Sequence, residues 1–152
     1  DAVPNFVATK NCTIDEAGTR ALVKEASELQ HFLGERNLSF GVAEGECSLL
    51  SSWAPMNGPK VKQFFDAAIN QREDELAEFR AQYATMVEDL LLSLGGGVSR
   101  IDGAYDKMIV RLGGFEQMPL RLLSPYHYFT EEDFQTSKRI LHERYPDWVP
   151  SA

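Results

Sequence analysis

The sequence predicts an all-α protein of about four helices. Apolar residues recur at steps of three and four along four stretches, which is the spacing of one face of an α-helix. Capping residues or glycines flank these stretches, and no stretch reads as a convincing strand. We expect the two long helices, about 14–35 and 59–94, to form an antiparallel hairpin. The two shorter ones, about 100–112 and 131–144, would pack across its end.

Residues 1–12 are predicted to form an extended lead-in, because they include Pro4 and show little periodicity. Thr13 and Glu16 then match a capping box, which marks the start of a helix. This first helix is expected to continue to about Glu35, with an apolar face made of Leu22, Ala26, Leu29 and Leu33.

The longest amphipathic stretch follows an irregular connection over 37–58 and extends from Pro59 to Leu94. A helix of that length would be roughly 50 Å long, more than a domain of this size needs across its width. Polar residues interrupt the apolar stripe at 71–75, but neither glycine nor proline marks a break there. We therefore predict one continuous helix, ended by the three glycines at 95–97.

Two shorter helices complete the prediction. A serine at 99 precedes the third helix, and a threonine at 130 followed by three acidic residues precedes the fourth. Residues 146–152 are expected to be an extended tail, and the whole chain, 1–152, to be a single helical domain.

Composition narrows the classes of function. The chain has 152 residues, of which 43% are hydrophobic and 25% charged, as in ordinary globular proteins. Its net charge of -8 and the lack of a dense basic patch argue against nucleic-acid binding. No apolar run approaches the length of a transmembrane helix.

The N-terminal residue and two sequons bear on the compartment. The sequence begins at Asp1 without a signal-like segment, which favours a processed organellar (mitochondrial) or exported protein over a plain cytosolic one. Asn11 and Asn37 each begin a glycosylation sequon that would matter only in a secreted protein. The compartment, and the use of the sequons, stay open at this point.

The two cysteines, Cys12 and Cys47, flank the first predicted helix. A disulfide between them would tie the irregular connection along that helix, and unpaired thiols in a reducing compartment are the equal alternative.

One pair of residues has a metal-ligand spacing. Glu28 and His31 are three residues apart, which on a helix places both side chains on one face. A di-iron site would need a second such pair, and neither His127 nor His142 has a glutamate three residues before it. We therefore expect no metal and no cofactor, with Glu28 and His31 as weak candidates only.

The sequence favours binding over catalysis and leaves enzymatic activity open. Our leading interpretation is a non-catalytic helical subunit or scaffold of a larger multiprotein assembly. It would bind protein partners through the long helix and through aromatic, irregular segments near the C-terminus. One alternative is a small helical enzyme or ligand-binding domain with a site between the long helices. A weaker one is a secreted, disulfide-containing effector. The predicted partner-binding residues are Val61, Phe64, Phe65, Ile69, Tyr126, Tyr128, Phe129 and Trp148.

Overall fold

A computed structural model describes residues 5–94 and 98–150 and divides the chain into two compact units. The sheet unit comprises Asp1–Ser51 and Lys62–Arg80. The helical unit comprises Ser52–Val61 and Ala81–Ala152. The predicted glycine terminator at 95–97 lies outside the described residues.

The sheet unit contains a parallel, three-stranded sheet, so the all-α prediction is wrong. The strand order is β1-β2-β3, and each strand pairs in parallel with the next one along the chain. Two helices, α1 and α2, make the crossovers that parallel pairing requires. The elements are β1 (Ala8–Asn11), α1 (Glu16–Glu25), β2 (Gln30–Leu33), α2 (Leu38–Val42) and β3 (Cys47–Leu49).

The predicted helix over 14–35 is therefore much shorter than expected. Its N-cap is Asp15, whose carboxylate accepts a hydrogen bond from the Gly18 amide, and the helix ends at Glu25. Gln30–Leu33, assigned to the same helix from its apolar spacing, is instead the central strand. A short apolar run is compatible with either period, and here pairing on both sides of the strand decides the outcome.

Both crossover helices cover the same face of the sheet. A methyl group placed on Gly41 of α2 would lie 2.2 Å from Leu33 Cδ1, 3.1 Å from Cys47 Sγ and 3.5 Å from Val23 Cγ2 of α1. Helix, strands and helix thus meet at this glycine, where any side chain would collide. Helices on one face and sequential strand order are typical of a barrel rather than of an open doubly wound sheet.

The predicted continuous helix 59–94 is broken, and the expected hairpin of 14–35 with 59–94 does not form. The stretch divides into α3 (Gly58–Ile69) and α4 (Glu73–Val87). Gln71 has a φ of 52°, and the Arg72 and Gln71 amides donate to the carbonyls of Ala67 and Ala68. This is a Schellman motif with glutamine in the left-handed position that glycine usually occupies. The helices that pair are α3 and α4. The ring of Phe64 stacks on the ring of Phe79, with 3.9 Å between the ring centroids.

The two shorter helices are confirmed, within the helical unit. They are α5 (Asp102–Leu112) and α6 (Glu131–Arg144), and the capping box of α6 joins Thr130 to Asp133. A π-helical turn, Glu88–Leu92, follows α4, and the Leu90 carbonyl accepts a buried hydrogen bond from Ser137 Oγ at 2.5 Å. A 3₁₀ turn, Pro146–Trp148, follows α6 within the segment expected to be an extended tail. Among the described residues, no helix is both long and apolar enough to cross a membrane.

The left-handed residue at the α3–α4 turn gives a stability prediction. Gln71→Val should lower the free energy of unfolding by about 1–2 kcal/mol, because a β-branched side chain is strongly disfavoured at positive φ. The same change at Gln63, an exposed position inside α3, should cost no more than about 0.5 kcal/mol. Urea unfolding of both variants measures the difference. Equal losses would contradict the role assigned to the turn.

Candidate functional site

The two faces of the sheet differ in burial. On the covered face, His31, Leu33 and Cys47 are buried under the helices. On the other face, Lys10 and Phe32 are exposed, although faces of parallel sheets are normally covered. We call this second surface the open face. Because side chains alternate along a strand, its members are Ala8, Lys10, Gln30, Phe32, Ser48 and Leu50.

The strand register places three open-face residues in one row. Lys10 is paired with Phe32, and Phe32 is paired with Ser48. Neighbouring strands lie roughly 4.8 Å apart, so Lys10 and Phe32 are cross-strand neighbours on the same face. Gln30 lies on the same face two residues before Phe32, and its Nε2 donates to Ser48 Oγ at 3.3 Å. The open face therefore combines a primary amine, a ring and an amide–hydroxyl pair.

The carboxyl ends of the strands carry further polar groups. Lys10 is the next-to-last residue of β1. Just beyond β2 and β3, Ser51 Oγ donates to the Glu35 carboxylate at 2.6 Å, and Glu35 is buried. In parallel α/β folds, ligands bind outside the carboxyl ends of the strands. The open face and this edge together form the candidate active site.

The weak metal candidates do not lie together on a helix. Glu28 is exposed in the turn after α1, whereas His31 is buried in β2. His31 Nε2 donates to the Ala26 carbonyl at 2.9 Å, which leaves Nδ1 of a neutral ring to accept from Thr9 Oγ1 at 2.8 Å. Both ring nitrogens are thus used in joining α1, β1 and β2. The described part of the chain contains no group of three or more potential metal-ligating side chains.

The residues predicted to bind partners are distributed over the two units, and half are buried. The buried ones include Phe64, which stacks on Phe79, and Trp148, whose Nε1 donates to Gln82 Oε1 at 2.8 Å. Val61 and Phe129 are buried as well, and Phe65 is half-buried. Three are exposed to solvent: Ile69, Tyr126 and Tyr128.

Both cysteines are free thiols in the structure. Cys12 is exposed beyond the end of β1, whereas Cys47 is buried at the start of β3, so β2 and the length of the sheet lie between them. Burial raises the pKa of the Cys47 thiol to about 11. The sequon asparagine Asn37 is also buried, and its Nδ2 donates to the Ile14 carbonyl at 3.0 Å.

No family model and no curated protein sequence matches this chain. Among the solved structures that resemble it are the following two. N-acetylneuraminate lyase from Fusobacterium nucleatum aligns with a TM-score of 0.64 and 17% identity, over 91% of this chain and 45% of that one. A dihydrodipicolinate synthase family protein from Coccidioides immitis aligns with a TM-score of 0.59 and 17% identity, over 92% and 46%. Both are TIM-barrel aldolases.

The chain thus has the fold of a fragment of a TIM barrel and spans about half the length of the structures it matches. The prediction of a non-catalytic all-α scaffold is wrong. The overlong helix on which it rested is broken into two, the chain contains a parallel sheet, and the matching folds belong to enzymes. Lys10 is not among the predicted site residues, because residues 1–12 were expected to form an extended lead-in. The available signal was the repeated order of short apolar run, polar turn and helix over residues 6–50.

The His31 contacts give a second stability prediction. Thr9→Val should cost about 1–2 kcal/mol of unfolding free energy, because a nearly isosteric change leaves His31 Nδ1 buried without its donor. Thr13→Val, at an exposed position, is the control and should change stability little. If urea unfolding shows the same stability for both variants, the histidine does not depend on this hydrogen bond.

The thiols should differ sharply in reactivity. At pH 8 the native protein should show one rapidly modified thiol, Cys12, and a second that reacts only on unfolding. Cys47 is buried, and its raised pKa keeps it almost entirely in the unreactive thiol form. Cys12→Ser should remove the fast phase, and Cys47→Ser should retain it. Stopped-flow thiol titration tests this, and a native protein without titratable thiols before reduction would instead indicate the disulfide.

Proposed function

We propose that this chain provides the reactive lysine of an aldolase-type lyase, and that Lys10 forms an imine with a carbonyl substrate. The observation behind the proposal is the position of Lys10: an exposed amine next to the carboxyl end of a strand, on the open face of a barrel-type sheet. Active sites of TIM-barrel enzymes lie at the carboxyl ends of the strands, and lysine is the residue that forms Schiff bases with carbonyl compounds.

The proposed chemistry follows from the amine. The Lys10 Nζ lone pair attacks the substrate carbonyl carbon, and the carbonyl oxygen leaves as water, which gives a protonated imine. The hydroxyl on the third carbon beyond the nitrogen then gives up its proton to water and becomes the carbonyl of the released fragment. The bond between the second and third carbons breaks, its electron pair moves towards the nitrogen, and an enamine forms. Protonation of the enamine carbon and hydrolysis of the imine then return the free amine. The same steps in reverse join the two fragments.

The substrate class is proposed from the fold neighbours. One of them is named for N-acetylneuraminate, which is a 2-oxo acid, so a 2-oxo acid is the proposed partner of Lys10. The side chains available to the substrate on this chain are Phe32 beside the amine, and the Glu35–Ser51 pair at the carboxyl edge. Since the chain corresponds to about half of its neighbours' length, the complete activity requires the remaining part of a barrel.

We also propose that a protein partner binds at the open sheet. The sheet has one exposed face, and β1 and β3 pair on only one side among the described residues. Further parallel strands would cover both edges, as they do in a closed barrel. The predicted partner-binding residues that stay exposed, Ile69, Tyr126 and Tyr128, offer additional contact surface.

Trapping the imine tests the proposal. The full native protein is incubated with pyruvate, the simplest 2-oxo acid whose carbonyl is a ketone. Any imine that forms is then reduced to a stable amine with cyanoborohydride. Mass spectrometry should then find one reduced pyruvate adduct on the peptide containing Lys10. Lys10→Arg should abolish this adduct, because a guanidinium keeps the charge but does not form the imine. Lys24→Arg, at an exposed position on α1, is the matched control and should leave it unchanged.

Two results would contradict the proposal. One is an adduct spread evenly over the surface lysines, which indicates non-specific amine reactivity. The other is an adduct that persists at the same yield in Lys10→Arg.

A further inference from the structure

The helical unit contains a cavity whose lining includes no residue of the candidate active site. Its volume is about 530 Å³, and it is open to solvent along one side. Lys107 contributes from α5, and the rest of the lining comes from the extended segment between α5 and α6. The lining residues are Lys107, Arg121, Leu122, Leu123 and Ser124.

The cavity has two positive charges that the described residues do not neutralise. Lys107 Nζ donates to the Arg121 carbonyl oxygen at 2.7 Å, which holds the ammonium at the cavity wall. An ammonium has three N–H donors, so two remain for a ligand. Within residues 5–94 and 98–150, no carboxylate forms an ion pair with Lys107 or Arg121. The salt bridges formed by other basic residues of the helical unit are Arg111–Glu131, Lys138–Glu116, Arg139–Glu143 and Arg144–Asp89.

The protein as a whole has a net charge of -8, whereas the lining of the cavity contains two basic residues and no acidic one. Two cations lining one concave site create a local positive potential, and a cleft concentrates such a potential. The group that complements them is an anion.

The remaining lining is apolar. Leu123 is 85% exposed, Leu122 is half-buried, and the Ser124 hydroxyl is the polar group beside them. An anion alone would leave both leucines in water, whereas an anion with a hydrocarbon part would cover them. Small-molecule sites combine apolar walls with a few polar groups in this way.

We propose that this cavity binds a small aliphatic carboxylate, with the carboxylate between the Lys107 ammonium and the Arg121 guanidinium and the chain against Leu122 and Leu123. The site is independent of the proposed imine chemistry, because it shares no residue with the open face. Hexanoate has the required parts. For a ligand of this size we expect a Kd on the order of 1–10 mM.

The test is an NMR titration of the full chain with ¹³C-labelled leucine methyl groups. Hexanoate should shift the Leu122 and Leu123 methyl signals to saturation. Acetate, which lacks the chain, and 1-hexanol, which lacks the charge, should each bind at least about tenfold more weakly. These two probes separate the contributions of charge and apolar contact.

Matched variants connect the shifts to the two cations. The double variant Lys107→Gln with Arg121→Gln should raise the Kd for hexanoate at least about tenfold. The control, Lys24→Gln with Arg139→Gln, removes the same two kinds of charge elsewhere and should leave the Kd unchanged. Two results overturn the proposal: no shift of these methyl groups approaching saturation at 50 mM hexanoate (at least about fivefold above the expected Kd), or equal affinities in the two double variants. Hexanol binding as tightly as hexanoate also overturns it, since the cations would then contribute nothing.

Discussion

Parallel pairing of β2 between β1 and β3 is the constraint on which the sheet unit depends. Parallel neighbours cannot be joined by a tight turn, so each connection must cross over as a helix. Both crossover helices lie on one face, and their packing leaves Leu33 fully buried and space only for glycine at position 41. The opposite face is consequently free of the chain's own crossovers, and it is the face on which Lys10 is exposed.

The central strand also explains how a polar ring is accommodated among apolar residues. Burying an imidazole without partners is costly, but each nitrogen of His31 has a hydrogen bond, one to the end of α1 and one to β1. The ring thereby joins three consecutive elements of the chain. A residue that resembled a metal ligand in the sequence is better explained as part of the fold's internal support.

The sequence predicted those elements whose determinants are local. α5 and α6 were found because the amphipathic face of each lies within one short stretch, and α6 also has the Thr130–Asp133 box. The serine at 99, predicted to cap α5, does not do so, because the N-cap of that helix is Ile101. β2 was missed because its identity depends on partners about twenty residues away on either side, while its apolar residues also fit a helical period. The α3–α4 break was missed because Gln71 adopts a conformation usually associated with glycine. Lys10 could not be recognised before β1 was placed in a parallel sheet.

Closure of a barrel around the open face would move its side chains from solvent into a packed interior. The interior of such a barrel is normally filled by layers of branched apolar side chains, and Phe32 and Leu50 fit that pattern. Gln30 and Ser48 depart from it, but they hydrogen-bond to each other and so satisfy part of their polar capacity. Lys10 departs further, because withdrawing a charged side chain from water is costly unless the charge is paired. A lysine at the carboxyl edge of such an interior is costly for stability alone, which is the physical reason for proposing that Lys10 has a chemical role rather than a packing role.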